Sequence, residues 1–143
     1  MTSETIIIAS TYEEVRIADE ALRAVLIAAH IPDDIVGCCE LALHELLVNL
    51  VDHAYNKYTD QSIEITLTLE AGMLIIQTVD FGKSAQLDLD SISMPEPVDL
   101  AESGYGMAII QSLVDNIEYQ NIPVTPFGAG QNVWTLRKRV ANH

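Results

Sequence analysis

Four side chains that could do chemistry sit within one short stretch, ELLVNLVDHAY: Glu45, Asn49, Asp52 and His53. In a helix turning about 100° per residue, these positions fall within roughly a quarter-turn of one another. A carboxylate can accept a proton, and a side-chain amide oxygen is a hard ligand suited to a small divalent cation. The opposite face would carry Val36, Cys39, Leu43, Leu46, Leu47, Leu50 and Ala54, an apolar stripe wide enough to dock on a sheet. Taken alone, the pattern equally describes a polar helix face turned to solvent, and His53 a structural histidine on the flank.

Two further places carry chemistry. Asp80 ends an apolar strand and is followed by Gly82 in DFGKS. A carboxylate there can accept a hydrogen bond from the amino group of a base such as adenine, and Gly82 lets backbone approach it; the bland reading is an Asp-Phe-Gly turn. Ser103-Gly104-Tyr105-Gly106 opens an apolar helix, whose first N–H groups lack intrahelical partners and form an anion site, unless the glycines serve only as a hinge.

The elements that must position these residues follow from periodicity. Glu4 to Ser10 reads as a strand. Thr11 to Glu14 has the spacing of a capping box opening a helix with Val15, Ala18, Leu22, Val25, Leu26 and Ala29 inward. Ile31 and Pro32 break that helix, and Asp33 or Asp34 caps the next, which fades after Tyr55. Ser62 to Leu69 alternates strictly, and Glu70-Ala71-Gly72 turns the chain into Met73 to Asp80 as an antiparallel hairpin. Periodicity fails from Lys83 to Glu102, a length suited to a lid or to a disordered segment. A helix from Gly104 buries Met107, Ile109, Ile110, Leu113 and Val114. Asn116 to Gln120 and Gln131 to Val140 complete the set as strands. The order β-α-α-β-β-lid-α-β-β predicts an α+β two-layer sandwich, with helices on one face of a mixed or largely antiparallel sheet.

The chain of 143 residues reads as one domain, spanning 1–143. No run approaches the roughly 18 apolar residues of a membrane span, and MTSETIIIAS lacks the basic region of a leader, which favours the cytoplasm. The two cysteines, Cys38 and Cys39, are neighbours on a helix, point apart, and suit core packing in a reducing compartment. A net charge of −14 argues against nucleic acid or an anionic membrane as a direct partner. Arg137, Lys138 and Arg139 finish a strand rather than forming a phosphate-binding patch.

Familiar motifs fail on spacing. His44-Glu45 lacks the second histidine of HExxH, because residue 48 is Val48; Gly82-Lys83-Ser84 lacks the first Walker glycine, because residue 77 is Gln77. Gly104 and Gly106 supply two of three Rossmann glycines outside a βαβ unit, and no GxSxG exists.

The ordered set ELLVNLVDHAY, DFGKS, SGYGMAIIQSLVDNIEY and GAGQNVWTL resembles the GHKL, or Bergerat-fold, ATPases over about Glu40 to Lys138. Its short length and H-A-Y ending resemble the RsbW-like anti-sigma factor serine kinases. The resemblance implies a Bergerat ATP-binding fold, ATP and Mg2+ as cofactors, and a protein serine kinase. Its partners would be a STAS-domain anti-anti-sigma substrate and a sigma factor; homodimerisation, seen in relatives, is left open. Residue by residue, it implies Glu45 as general base and Asn49 as magnesium ligand. Asp80 with Gly82 would hold the adenine, Gly104, Tyr105, Gly106 and Met107 the phosphates, and His53 a structural place. Three departures stand beside it: Glu102 where an arginine is frequent, Gln131 and Asn132 after Gly130 where many members carry threonine, and Ser84 for a second glycine. The competing expectation is a binding module that uses nucleotide only to set its shape.

Overall fold

The computed structural model describes residues 1–54, 62–80, 105–122 and 130–141, without the side chains of residues 53, 54, 105 and 106. The expected lid, 83–102, lies outside the described residues, as do Gly82 and Gly104.

Among the described residues five strands, β1 (Thr2–Ala9), β2 (Ser62–Glu70), β3 (Met73–Asp80), β4 (Asn116–Ile122) and β5 (Gln131–Arg139), form one sheet in the order β1-β2-β3-β5-β4. All four pairings are antiparallel, which settles the sheet type. Among the described residues three helices, α1 (Tyr12–Ala28), α2 (Asp33–Ala54) and α3 (Tyr105–Leu113), share a single core with one face of the sheet. Strand alternation explains which face. Ile8, Ile63, Ile65, Leu67, Leu74, Ile76, Trp134 and Leu136 are buried against Val15, Leu22, Leu26, Leu43, Leu46, Leu47 and Ile110. The other face is mixed: Ile7, Met73, Ile75, Val79 and Val133 share it with hydroxyl pairs Ser3–Thr68 and Thr5–Thr66 and a Gln77–Thr135 bond crossing the strands.

Local chemistry sets the boundaries. Thr11 caps α1, its Oγ1 accepting from the Glu14 N–H at 3.3 Å, while Glu14 reaches back to the Ala9 N–H at 2.8 Å. The helix closes in a Schellman turn: Ile31 N–H bonds Leu26 C=O, His30 N–H bonds Ile27 C=O, and His30 takes φ 61°. Ala29 is therefore an exposed cap, not an inward residue as expected. In α2 the Pro32 carbonyl accepts the first bonds, from Ile35 and Val36, so Asp33 and Asp34 occupy the first turn instead of capping it. There they favour the positive end of the helix dipole. The two residues between β2 and β3, Ala71 and Gly72, both have positive φ (51° and 78°), matching the right-handed twist of the hairpin.

Three side-chain links run down α1 and α2 in opposite chain directions. The Tyr12 hydroxyl donates to Asp52, Asp19 bonds the His44 ring at 2.8 Å, and Arg23 pairs with Glu40 at 2.6 Å. They join α2 to α1 along its length, while the buried apolar stripe seats α2 on the sheet.

Candidate functional site

Along the core face of β3 the side chains run Leu74, Ile76, Thr78, Asp80, from apolar to polar. The pairings align each with its neighbours. Asp80 sits between Ile63 of β2 and Asn132 of β5, and Asn132 in turn faces Asn121 of β4. One end of the core face is thus polar on three adjacent strands.

Asp80 and Asn132 are almost wholly buried, at 0% and 1% exposure. Asn132 Nδ2 donates to Asp80 Oδ1 at 2.9 Å. Asn132 Oδ1 accepts from the Tyr119 hydroxyl at 2.6 Å and from Asn121 Nδ2 at 3.1 Å. A buried carboxylate costs several kcal/mol unless donors face it, so these bonds belong to the stability of the site as well as its chemistry. The Thr78 hydroxyl, two residues before Asp80, is also fully buried, and Oγ1 has no hydrogen-bond partner among the described residues.

Glu45 and Asn49 lie on the half-buried flank of α2, one turn apart, between buried Leu46, Leu47 and Leu50 and the exposed face. The predicted apolar stripe of α2 is buried at Val36, Cys39, Leu43, Leu46, Leu47 and Leu50. Asp52, grouped with Glu45 and Asn49 by spacing, instead accepts from Tyr12 and serves the α1–α2 contact. His53 is the penultimate residue of α2, its side chain outside the described set. Tyr105 and Gly106 form the start of α3, where N–H groups lack intrahelical acceptors. Met107 packs against the core, so its backbone and not its side chain is available to an anion. The structure therefore brings Asp80 together with Asn132. It sets Glu45 and Asn49 on one flank and joins neither to Asp80 by a hydrogen bond among the described residues.

The basic cluster at the end of β5 is structural, as expected. Arg137 bonds Glu118 and Asn116, and Lys138 Nζ caps the end of α3 at the Leu113 carbonyl, 2.6 Å away. Cys39 is buried on the core face of α2 and burial pushes its thiol up to about 12, while Cys38 is half-buried; both are free.

These residues fit a magnesium nucleotide. A buried acceptor suits an amino-bearing base, and no group of three His, Cys, Asp or Glu among the described residues could cage a metal. Magnesium in nucleotide sites needs no such cage, since one or two protein oxygens with phosphates and water complete its shell. Asn49 can be such a ligand.

Comparison with known proteins agrees with this geometry. The family model described as the histidine kinase-like ATPase domain matches residues 8–138. The chain belongs to this family. A curated relative, the serine-protein kinase RsbW of Oceanobacillus iheyensis, is 31% identical over 90 residues, 57% of this chain and 56% of the relative. The chain thus spans little more than half the length of that relative. Among solved structures, the RsbU and RsbW domains of Rv1364c from Mycobacterium tuberculosis superpose with a TM-score of 0.68 at 19% identity. That match covers 98% of this chain and 33% of the other. The SiaB–SiaC complex from Pseudomonas aeruginosa gives 0.66 at 14% identity, covering 94% and 88%. At these identities the two structures speak for the histidine kinase-like ATPase fold. Asn132, noted in the sequence only as a departure from threonine, is the site residue that spacing alone did not bring forward. No helix among the described residues is long and apolar enough to cross a membrane.

Proposed function

We propose that this chain is an ATP-dependent protein serine kinase of bacterial partner switching. It sequesters a sigma factor and phosphorylates a serine on a STAS-domain anti-anti-sigma protein. The observation that carries the reading is the buried Asp80 carboxylate, held by Asn132 at the polar end of the core face in a histidine kinase-like ATPase domain. The curated relative named a serine-protein kinase supports the choice of acceptor.

Asp80 accepts a hydrogen bond from the adenine amino group, with Gly82 admitting backbone close to the base. The N–H groups from Gly104 to Met107 donate to phosphate oxygens at the start of α3. Asn49 would offer its amide oxygen to Mg2+, which when bound would neutralise charge on the phosphates. Glu45, one turn earlier on α2, accepts the proton of the attacking serine hydroxyl. Phosphoryl transfer is mainly positioning and charge stabilisation, so a site poor in lysine and arginine suffices.

Incubation with labelled ATP, Mg2+ and a STAS partner tests the reading. Wild type labels the partner, and Glu45→Ala lowers the rate by about 10²- to 10⁴-fold, the range for losing a general base. Undiminished labelling by that variant overturns Glu45 as the base. Glu102, in place of the frequent arginine, favours one second reading: nucleotide bound without any transfer of label, by a module that only sequesters its partner.

A further inference from the structure

The Asp80 carboxylate does not stand alone: a relay of hydrogen bonds reaches it from the edge of the sheet. Tyr119 and Asn121, both on edge strand β4, donate to the same oxygen of Asn132, at 2.6 and 3.1 Å. The nitrogen of that amide donates to Asp80 at 2.9 Å. With two donors converging on its oxygen, the Asn132 amide has one sensible orientation. Reversed, it would set its oxygen against a carboxylate and its nitrogen against the Asn121 amide nitrogen. We infer that Tyr119, with Asn121, is a positioning residue for base selection: through Asn132 it holds Asp80 as a fixed, acceptor-only carboxylate that admits an amino-bearing purine and rejects a carbonyl-bearing one.

Tyr119 and Asn121 donate to Asn132 and Asn132 donates to Asp80, with Asn121 Nδ2 also 3.4 Å from the Gln131 carbonyl. Hydrogen bonds in such a chain polarise one another, so the tyrosine hydroxyl strengthens the amide bond that faces the carboxylate. The carboxylate is fully buried, and there a mismatched polar contact is most costly. A base with an exocyclic oxygen meets an acceptor where it needs a donor. Sites that pair a buried polar group with substrate discriminate far more strongly than apolar pockets do. Tyr119 is itself held in place. Its ring lies 4.5 Å from that of Trp134, tilted by 40°, and Trp134 is part of the buried core. β4 is therefore more than a closing strand.

The inference rests on Asp80 receiving the base, and the test separates the two. Calorimetric Kd values for MgATP and MgITP, whose base carries an oxygen in place of the amino group, are measured for wild type, Tyr119→Phe, Asn132→Ala and the double variant. Tyr119→Phe keeps the ring on Trp134 and removes only the hydroxyl. The preference for ATP over ITP is expected to fall by about fivefold, the loss of one hydrogen bond of ordinary strength. A merely structural role would weaken both nucleotides alike and leave their ratio unchanged. In the Asn132→Ala background the tyrosine change adds nothing, because its effect passes through Asn132. An unchanged ratio in Tyr119→Phe overturns the relay while leaving the base site intact. Failure of wild type to bind ATP, or equal affinity for ATP and ITP, overturns the assignment of Asp80 itself. Should Asn132→Ala not fold, the Tyr119→Phe ratio decides alone.

Discussion

Replacing Asp80 by asparagine exchanges one buried acceptor for a donor and leaves the shape almost unchanged. The asparagine oxygen can keep the 2.9 Å bond from Asn132 Nδ2, so the link between β3 and β5 survives. The amide nitrogen takes the place of the other carboxylate oxygen and meets the amino group of the base, donor against donor. Losing a charge-assisted hydrogen bond costs about 1.5–3 kcal/mol, and an unsatisfied buried donor about 1–3 kcal/mol more. A combined loss of about 2.5–6 kcal/mol corresponds to roughly 70- to 25,000-fold in Kd. The substitution also acts on the free protein, in which Asp80 is 0% exposed and bonded to Asn132. Calorimetry with MgATP and thermal unfolding of the free protein measure the two effects separately. If the folded variant binds ATP within threefold of wild type, Asp80 does not hold the base and the reasoning fails.

Three other outcomes are expected. Burial raises the Asp19 carboxyl above its ordinary value of 3.8, only partly offset by the bond to His44, so the fold favours its protonated form. That contribution is complete below 3.8 and is lost as pH rises through the folded value; Asp19→Asn should therefore gain stability on wild type between acid and neutral pH in urea titrations, and the opposite slope refutes it. Cys39, with its thiol pushed up to about 12 by burial, should resist a disulfide reagent at pH 8 until urea is added, while half-buried Cys38 reacts first. His30 and Ala71 hold φ of 61° and 51°, so His30→Gly and Ala71→Gly should each stabilise by about 0.5–1 kcal/mol in denaturant titrations, and a loss would show that those turns are not strained.

Much of the fold was legible because local signals agreed. The Thr11 cap, the period of α1 and α2, and the hairpin joining β2 to β3 each rest on residues close in sequence, and each formed where the pattern placed it. The differences lie at ends that distant partners decide. β1 starts at Thr2 rather than Glu4 because Thr2 and Ser3 pair with Leu69 and Thr68. β4 continues past Gln120 because Asn121 and Ile122 pair with Asn132 and Gln131, although the approach to Pro123 reads as a loop. The cap of α2, expected at Asp33 or Asp34, falls one or two positions earlier because the Pro32 carbonyl accepts the first bonds.

The site divides along the same line. Glu45 and Asn49 needed only the helical period, and Asp80 only the end of an apolar strand, so their places on the α2 flank and the β3 core face were readable. The relay through Asn132 was not, because it depends on two registers at once, β3 with β5 and β5 with β4. A signal was nevertheless present. In NIEYQNI the face holding Ile117 and Tyr119 ends at Asn121, and in QNVWTL the face holding Leu136 and Trp134 ends at Asn132. A strand face that turns polar inside a core must find polar neighbours, since a buried amide or carboxylate left alone would cost more than its strand pairing returns. Three faces ending in Asp80, Asn132 and Asn121 can satisfy that demand only by lying side by side at one level. That is the level at which the sheet sets them, so the need to bury Asp80 among donors helps choose the register that builds the site.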